Sequence, residues 1–160
     1  MKLKIEPKGD REIAISRTFD APRDLVFEAY TQPERLVRWL GVFASWKLAV
    51  CEMDLKVGGA YRWVWRDGAS GTEMGVRGVF REVVPPARLV CTERFDEPWY
   101  EGEALVTVEF VERAGKTTLA MTLRYGSTAT RDAVLRSPME SGMARSYDNL
   151  AELLEVSRRT

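Results

Sequence analysis

The segment SPMESGMARSYDNLAELL (137–154) decides the fold, because it predicts a long amphipathic helix near the end of the chain. Ser137, Pro138 and Glu140 form a start signal in which Ser caps, Pro occupies the first helical position and Glu completes a capping box. Apolar side chains then recur three or four positions apart, as they do along one face of a helix. This apolar stripe consists of Met139, Met143, Tyr147, Leu150 and Leu154.

The sequence before this helix changes to a period of two, which is typical of β-strands. Paired glycines at 58–59 and the Ala114-Gly115 dipeptide predict tight turns, because such positions supply positive φ at little cost. A short helical piece is predicted over 127–136. Six antiparallel strands are predicted over 46–55, 60–66, 73–84, 88–95, 103–113 and 116–125.

The first third of the chain predicts one strand followed by two short helices. Apolar residues alternate over 13–19, and Pro22 and Pro33 each suit the first turn of a helix. The element order is therefore strand, two helices, six strands and a long helix. This order predicts an α+β fold in which a curved antiparallel sheet wraps around the C-terminal helix. We predict an N-terminal tail over 1–10 and a single domain over 11–157.

Composition narrows the class of protein. The chain has 160 residues, 45% of them hydrophobic and 30% charged, which fits one globular domain. Lys+Arg and Asp+Glu both number 24, so no basic surplus is present to neutralise phosphates, which argues against a nucleic-acid partner. The N-terminus shows no apolar signal-peptide region and no apolar run approaches a membrane span. We therefore predict a cytoplasmic protein.

The chain contains no histidine, which removes the commonest general base and the commonest metal ligand. A serine–histidine triad is therefore excluded. Cys51 and Cys91 stand alone in apolar strands, and we predict that both are free thiols. We expect no metal, no cofactor and no assigned catalytic residue.

Four sequence blocks resemble the family of homologues of the activator of heat-shock-protein-90 ATPase. They are IAISRTFDAPRDLVFEAYTQPERLVRWLG (13–41), CEMDLKVGGAYRWVWR (51–66), RGVFREVVPPARLV (77–90) and GMARSYDNLAELL (142–154). The blocks occur in the family's order, and the resemblance covers about residues 11–156. It places the chain in the START / Bet v 1-like (polyketide cyclase–dehydrase, SRPBCC) superfamily.

The resemblance implies a helix-grip fold with a ligand pocket between the sheet and the long helix. Members of the superfamily include lipid and hormone binders, polyketide cyclases, co-chaperone domains and many bacterial proteins of unassigned role. They share no catalytic set that could be carried over to this sequence. The resemblance alone does not support a chaperone interaction, and it leaves a homodimer open.

Aromatic and methionine side chains are the main candidates for the pocket lining. Tyr61, Trp63 and Trp65 share one face of one strand, where they form either a cavity wall or plain core. Trp39 and Trp46 flank a loop that could act as a lid or cover the edge of the core. The predicted ligand-lining residues are Trp39, Trp46, Tyr61, Trp63, Trp65, Arg77, Arg94, Trp99, Met121, Met139, Met143 and Tyr147.

The position of charged residues within apolar strands allows two interpretations. Arg77, Arg94 and Arg124 could face the cavity and bind a carboxylate or enolate, or they could lie on the solvent face. Glu93 and Glu109 could act as a general base if buried, but ion pairs with arginine on the outer face are the favoured interpretation.

Three functions remain on the sequence alone. The favoured one is a binding protein for an apolar or aromatic small molecule, because aromatic and methionine side chains should meet inside. The alternatives are a cyclase- or dehydrase-type enzyme and a chaperone-linked or dimeric interaction domain. A charged side chain lining the cavity would favour the enzyme over the binding protein.

Overall fold

A computed structural model describes residues 2–159 and has the predicted α+β helix-grip architecture. Strands and helices follow each other in the predicted order, with one additional strand at the N-terminus. The strands are β1 (Lys4–Lys8), β2 (Glu12–Phe19), β3 (Trp46–Met53), β4 (Ala60–Asp67), β5 (Glu73–Val84), β6 (Arg88–Phe95), β7 (Ala104–Arg113) and β8 (Lys116–Arg124). The helices are α1 (Arg23–Thr31), α2 (Pro33–Leu36), α3 (Thr128–Arg136) and α4 (Met139–Arg159).

The strands form one antiparallel sheet in the order β1-β2-β8-β7-β6-β5-β4-β3. Residues 4–8, which the sequence analysis assigned to a tail, form the edge strand β1 and pair with β2. The prediction missed this strand because the alternation of Leu3 and Ile5 with charged residues is short and reaches Pro7 at once. An edge strand tolerates proline, since one side of it needs no partner.

The tight turns hold the sheet as predicted. Ala114 and Gly115 have φ values of 52° and 77°, which match the two left-handed residues of a two-residue hairpin between β7 and β8. Gly78 serves close packing instead, because a Cβ atom there would lie 1.8 Å from the carbonyl oxygen of Thr92. The neighbouring β6 backbone therefore requires glycine at this position of β5.

Helix α1 packs across one part of the sheet. The Phe27 ring meets the Phe110 ring of β7 edge-on, with ring centroids 5.2 Å apart. The carbonyl of Ala29, near the end of the helix, would ordinarily accept from the residue four positions on. That residue is Pro33, which has no N–H, and the indole Nε1 of Trp39 donates to this carbonyl instead at 2.8 Å.

Helix α4 carries the predicted apolar stripe, but its two ends differ in burial. Tyr147, Leu150 and Leu154 are buried, whereas Met139 and Met143 are only partly buried. The hydroxyl of Ser137, which the sequence analysis assigned as the cap of this helix, donates to the Val134 carbonyl at 2.6 Å. Ser137 is thus the C-cap residue of α3.

Candidate functional site

The face of the sheet toward α1 and α4, called the inner face here, is fixed by ring contacts. Phe110 touches Phe27 of α1, and the Phe19 ring lies 5.9 Å from the Tyr147 ring of α4. Alternation along the strands and the observed register then assign all remaining strand positions to the inner or the outer face. The pairings Val106↔Cys91 and Val76↔Phe95 extend the assignment across β6 and β5.

Tyr61, Trp63 and Trp65 lie together on the inner face of β4. Ring centroids are 4.9 Å apart for Tyr61 and Trp63 and 6.2 Å apart for Trp63 and Trp65. Tyr61 is buried and its hydroxyl donates to the Thr92 carbonyl at 2.6 Å. The intervening Arg62 points to the outer face, where it pairs with Asp96 at 2.6 Å.

The inner side chains fill the two halves of the sheet unequally. We call the inner side of β2, β7 and β8 the closed half, and the inner side of β3 to β6 the open half. In the closed half Ile13, Phe110 and Leu119 are at most 1% exposed. In the open half Trp63, Trp65, Cys51, Cys91 and Phe95 all keep accessible surface although they face inward.

A polar atom in the open half also lacks a partner. The indole Nε1 of Trp63 is buried and makes no hydrogen bond to any described residue. By contrast, Trp65 Nε1 donates to the Leu40 carbonyl at 3.0 Å. A buried N–H without a partner costs on the order of 1–3 kcal/mol, so a ligand that accepts from it would remove that cost.

Glu93 lies on the inner face of β6, between Cys91 and Phe95 along the strand and opposite Ala104 of β7. Protein atoms enclose its carboxyl group deeply, yet the residue keeps accessible surface. The carboxyl group is therefore desolvated, although the residue is not fully covered. The other inner positions in the middle of β3 to β6 are uncharged: Cys51, Tyr61, Trp63, Trp65, Val76, Phe80 and Cys91.

Burial raises the pKa of Glu93 from its ordinary value of 4.5 to about 7. The nearby Tyr100 hydroxyl opposes this shift by interacting with the carboxylate, although the two groups do not reach ordinary hydrogen-bond geometry. No cation among the described residues contributes to the shift. Glu93 is therefore a carboxyl group that changes charge near neutral pH.

Tyrosine and cysteine side chains surround Glu93. Burial raises the pKa of Tyr30, and the Glu93 charge adds to that shift. The Tyr100 and Tyr125 rings meet edge-on at 5.3 Å, and burial raises the pKa of both phenols, with a further contribution from the Glu93 charge. Burial raises the pKa of the Cys91 thiol to about 12, so this cysteine stays protonated at neutral pH.

The loop over 37–45 joins α4 to the open half. Asn149 of α4 donates from Nδ2 to the Val42 carbonyl at 2.7 Å, and Ser146 accepts from the Gly41 N–H at 2.9 Å. Trp65 reaches the same loop from β4 through its bond to Leu40. These bonds hold the loop, which the sequence analysis interpreted as either a lid or a cover for the edge of the core, between helix and sheet.

The predicted ligand-lining residues divide into four groups. Trp39, Tyr61, Met121 and Tyr147 are buried in the core. Trp46, Trp63, Trp65, Met139 and Met143 are partly exposed, and Trp99 is 50% exposed in the loop after β6. Arg77 and Arg94 lie on the outer face.

The outward position of Arg77 and Arg94 differs from the prediction that they face the cavity. Arg77 of β5 and Arg94 of β6 stand opposite each other in the strand register, and Arg77 also stands opposite the outward-facing Arg62 of β4. Arg77 contacts Asp96 at 3.0 Å. Together these side chains border an outer groove of about 630 Å³, so they belong to a different surface from the tryptophans.

Glu93 is the inner-face residue that the sequence analysis placed outside in its favoured interpretation. Leu89, Cys91 and Phe95 share its parity in β6, whereas Arg88 and Arg94 have the opposite parity. This alternation is the signal that could have placed Glu93 inside. Glu109 does lie on the outer face, 3.4 Å from Arg88, as the favoured interpretation expected.

Comparison with known proteins gives one family and several structures. A family model described as Activator of Hsp90 ATPase homolog 1-like protein matches residues 20–155. A protein from Rhodobacter sphaeroides is 31% identical, with a TM-score of 0.91 over 98% of this chain and 99% of its own. A protein from Aeromonas hydrophila that is described as AHSA1-like is 21% identical, with a TM-score of 0.71 over 91% of this chain and 93% of its own. The second likeness concerns the fold alone.

The comparison with curated proteins gives no match. No helix within residues 2–159 is long and apolar enough to cross a membrane. The described residues also contain no cluster of acidic and cysteine side chains that could hold a metal ion.

Proposed function

The chain belongs to the Activator of Hsp90 ATPase homolog 1-like family, and from this premise we propose that it binds an apolar or aromatic small molecule in the open half. The family supports a ligand-binding fold in general but names no ligand. The observation that carries the proposal is the residual exposure of Trp63 and Trp65 on the inner face. On the inner face of the closed half, by contrast, the aromatic side chains Phe19 and Phe110 are at most 2% exposed.

Partly exposed aromatic rings suit an apolar ligand because they offer flat surfaces that water solvates poorly. Trp63 and Trp65 stand at 76° to each other, so they present both a ring face and a ring edge. Met139 and Met143 are partly buried on α4 and pack against the main core. Their flexible side chains can adapt to ligands of different shape.

The test uses N-phenyl-1-naphthylamine, a neutral probe whose fluorescence rises in apolar surroundings. Cys51→Phe adds bulk to the open half, opposite Trp63 in the register. Its matched control is Val79→Phe, because Val79 lies on the outer face and borders the outer groove. We expect saturable binding with energy transfer from tryptophan, weakened roughly tenfold by Cys51→Phe and unchanged by Val79→Phe.

Two outcomes would contradict the proposal. A probe that responds to Val79→Phe and not to Cys51→Phe occupies the outer groove. An absence of saturable binding, together with a ligand-free mass in native mass spectrometry of gently purified protein, would favour the interaction-domain alternative.

A second function is supported by Glu93. A cyclase- or dehydrase-type enzyme needs a positioned acid or base, and Glu93 is a carboxyl group in the open half whose pKa lies near 7. The Tyr100 hydroxyl beside it could donate a hydrogen bond to an oxygen of the substrate, although burial raises its pKa and so weakens it as an acid. The enzyme is distinguished from the binding protein by turnover of a co-purified ligand that stops in Glu93→Gln.

A further inference from the structure

The open half contains a negative charge that the protein itself does not neutralise. The Glu93 carboxylate faces tyrosine hydroxyls and a protonated thiol, and among the described residues no cation offsets its burial. A buried charge without a counter-ion is unfavourable, and it is stabilised by an opposite charge at close range. The binding partner that fits this position best is a positive group.

Arginines lie on other surfaces or are already engaged. Arg77 and Arg94 are on the outer face of the sheet. Arg17 does face inward from β2, but its Nη1 donates to Asp148 at 2.6 Å and its guanidinium lies 5.3 Å from the Phe19 ring, in the closed half. Neither arrangement brings a cation to the Glu93 carboxylate.

Aromatic rings supply the rest of the environment around Glu93. Phe95 follows it on the same face and lies 6.1 Å from the Tyr100 ring, which meets the Tyr125 ring in turn. Ring faces attract cations through their quadrupole, and an ammonium group buried against them loses less on leaving water. Carboxylate and rings together form a setting that favours an amine over a neutral or acidic group.

We propose that the open half selects ligands with a positively charged amine, bound by the Glu93 carboxylate as counter-ion and enclosed by the neighbouring aromatic rings. This inference rests on the proposed function, since it assigns a chemical class to the ligand of the same site. The apolar body of the ligand contacts Trp63 and Trp65. An acidic ligand is repelled by Glu93.

The dependence on pH follows from the groups that face Glu93. Burial raises the pKa of each of them, so they remain neutral between pH 5 and pH 8, and Arg94 reaches Tyr100 only as a distant charge from the outer face. Glu93 is then the group whose charge changes in this range. The groups are Tyr30 of α1, Tyr61 of β4, Cys91 of β6, Tyr100 after β6 and Tyr125 after β8.

The test compares three probes of similar size: 1-naphthylmethylamine, 1-naphthylmethanol and 1-naphthoate. Titration calorimetry at pH 8, where Glu93 is ionised, should show the amine binding roughly tenfold more tightly than the alcohol and the acid binding weakest. Glu93→Gln should remove the preference for the amine. Glu109→Gln, the same change on the outer face, should retain it.

A second measurement uses the unmodified protein. The preference for the amine should disappear as the pH falls from 8 to 5, because protonation removes the charge of Glu93 while the amine stays charged. Equal binding of amine and alcohol at pH 8, or a preference that survives in Glu93→Gln, would overturn the inference and leave the proposed function standing. Failure of all three probes to bind would overturn both.

Discussion

The closed and open halves of the sheet are built from the same kind of strand, yet they are completed differently. In the closed half α1 and the C-terminal part of α4 fill the inner face, so that Phe110 is 1% exposed. In the open half the inward-facing rings of Trp63, Trp65 and Phe95 stay partly exposed. The helices therefore complete the core of one half and leave aromatic side chains of the other half partly accessible.

The indole groups of the two regions differ in their hydrogen bonds. Beside the closed half, where its ring packs against Tyr30 and Tyr147, Trp39 donates from Nε1 to the Ala29 carbonyl. The open half holds the unpartnered Trp63 Nε1 and the uncompensated Glu93 carboxyl group. Unpartnered atoms also occur in the closed half, at Arg17 Nε and Tyr147 Oη, so the buried carboxyl group is what distinguishes the open half. A protein that retains such a group gives up some stability, and binding of a ligand is a physical reason for doing so.

The largest effect should come from removing one phenylalanine in each half. Phe110→Ala leaves a cavity beneath α1 and should lower the free energy of unfolding by about 3–5 kcal/mol. Phe95→Ala should lower the free energy of unfolding by about half as much or less, because the Phe95 side chain is already partly exposed. Urea unfolding of both variants measures the difference, and equal losses would mean that the open half is packed as tightly as the closed one.

The sequence predicted the fold well because its periodicities are strong where they matter. The stripe along α4 and the alternation of Tyr61, Trp63 and Trp65 each have one consistent reading. Strand β5 does not. Its inner positions include Gly78, while the exposed Val79 lies on the outer face, so apolar character does not distinguish the two sides. That ambiguity allowed Arg77 to be placed inside.

The site was harder to predict than the fold because its defining residue violates the usual pattern. Glutamate in a strand ordinarily lies on the solvent face, and the sequence analysis favoured this position for Glu93 as well as for Glu109. Glu93 and Glu109 differ only in the residues that lie on the same face of their strand. To predict the inward position of Glu93, the alternation that it shares with Cys91 and Phe95 had to be given more weight than the usual preference of glutamate for the solvent face.

An intermediate effect should come from Glu93→Gln, and its sign depends on pH. The folded protein holds a proton on Glu93 up to a pKa of about 7, whereas the unfolded chain releases it near 4.5. The unfolded state therefore binds fewer protons between these values, and the stability of the unmodified protein falls as the pH rises through this window. The variant, which has no charge to bury, should be more stable at pH 8 by about 2–3 kcal/mol.

This gain should vanish below about pH 4.5, where Glu93 is protonated in both states. Urea unfolding across pH 4 to 8 measures it, with Glu109→Gln as the control. Glu109 lies on the outer face beside Arg88, and its replacement should produce no gain at any pH. A Glu93→Gln variant that is less stable at pH 8 would mean that the carboxylate has a favourable partner inside the protein.

The smallest effect should come from exchanging one tryptophan for phenylalanine in each half. Trp39→Phe leaves the Ala29 carbonyl without a donor, and Pro33 cannot replace it, so we expect a loss of about 1–3 kcal/mol. Trp63→Phe removes an N–H that has no partner in the ligand-free protein, and this gain offsets the packing lost with the smaller ring, so stability should change by less than about 1 kcal/mol. Thermal unfolding of the two variants, measured without ligand, is sufficient to compare them. A loss of stability for Trp63→Phe as large as that for Trp39→Phe would show that the indole N–H of Trp63 is hydrogen-bonded in solution. The open half would then hold fewer unpaired polar groups than the comparison of the two halves requires.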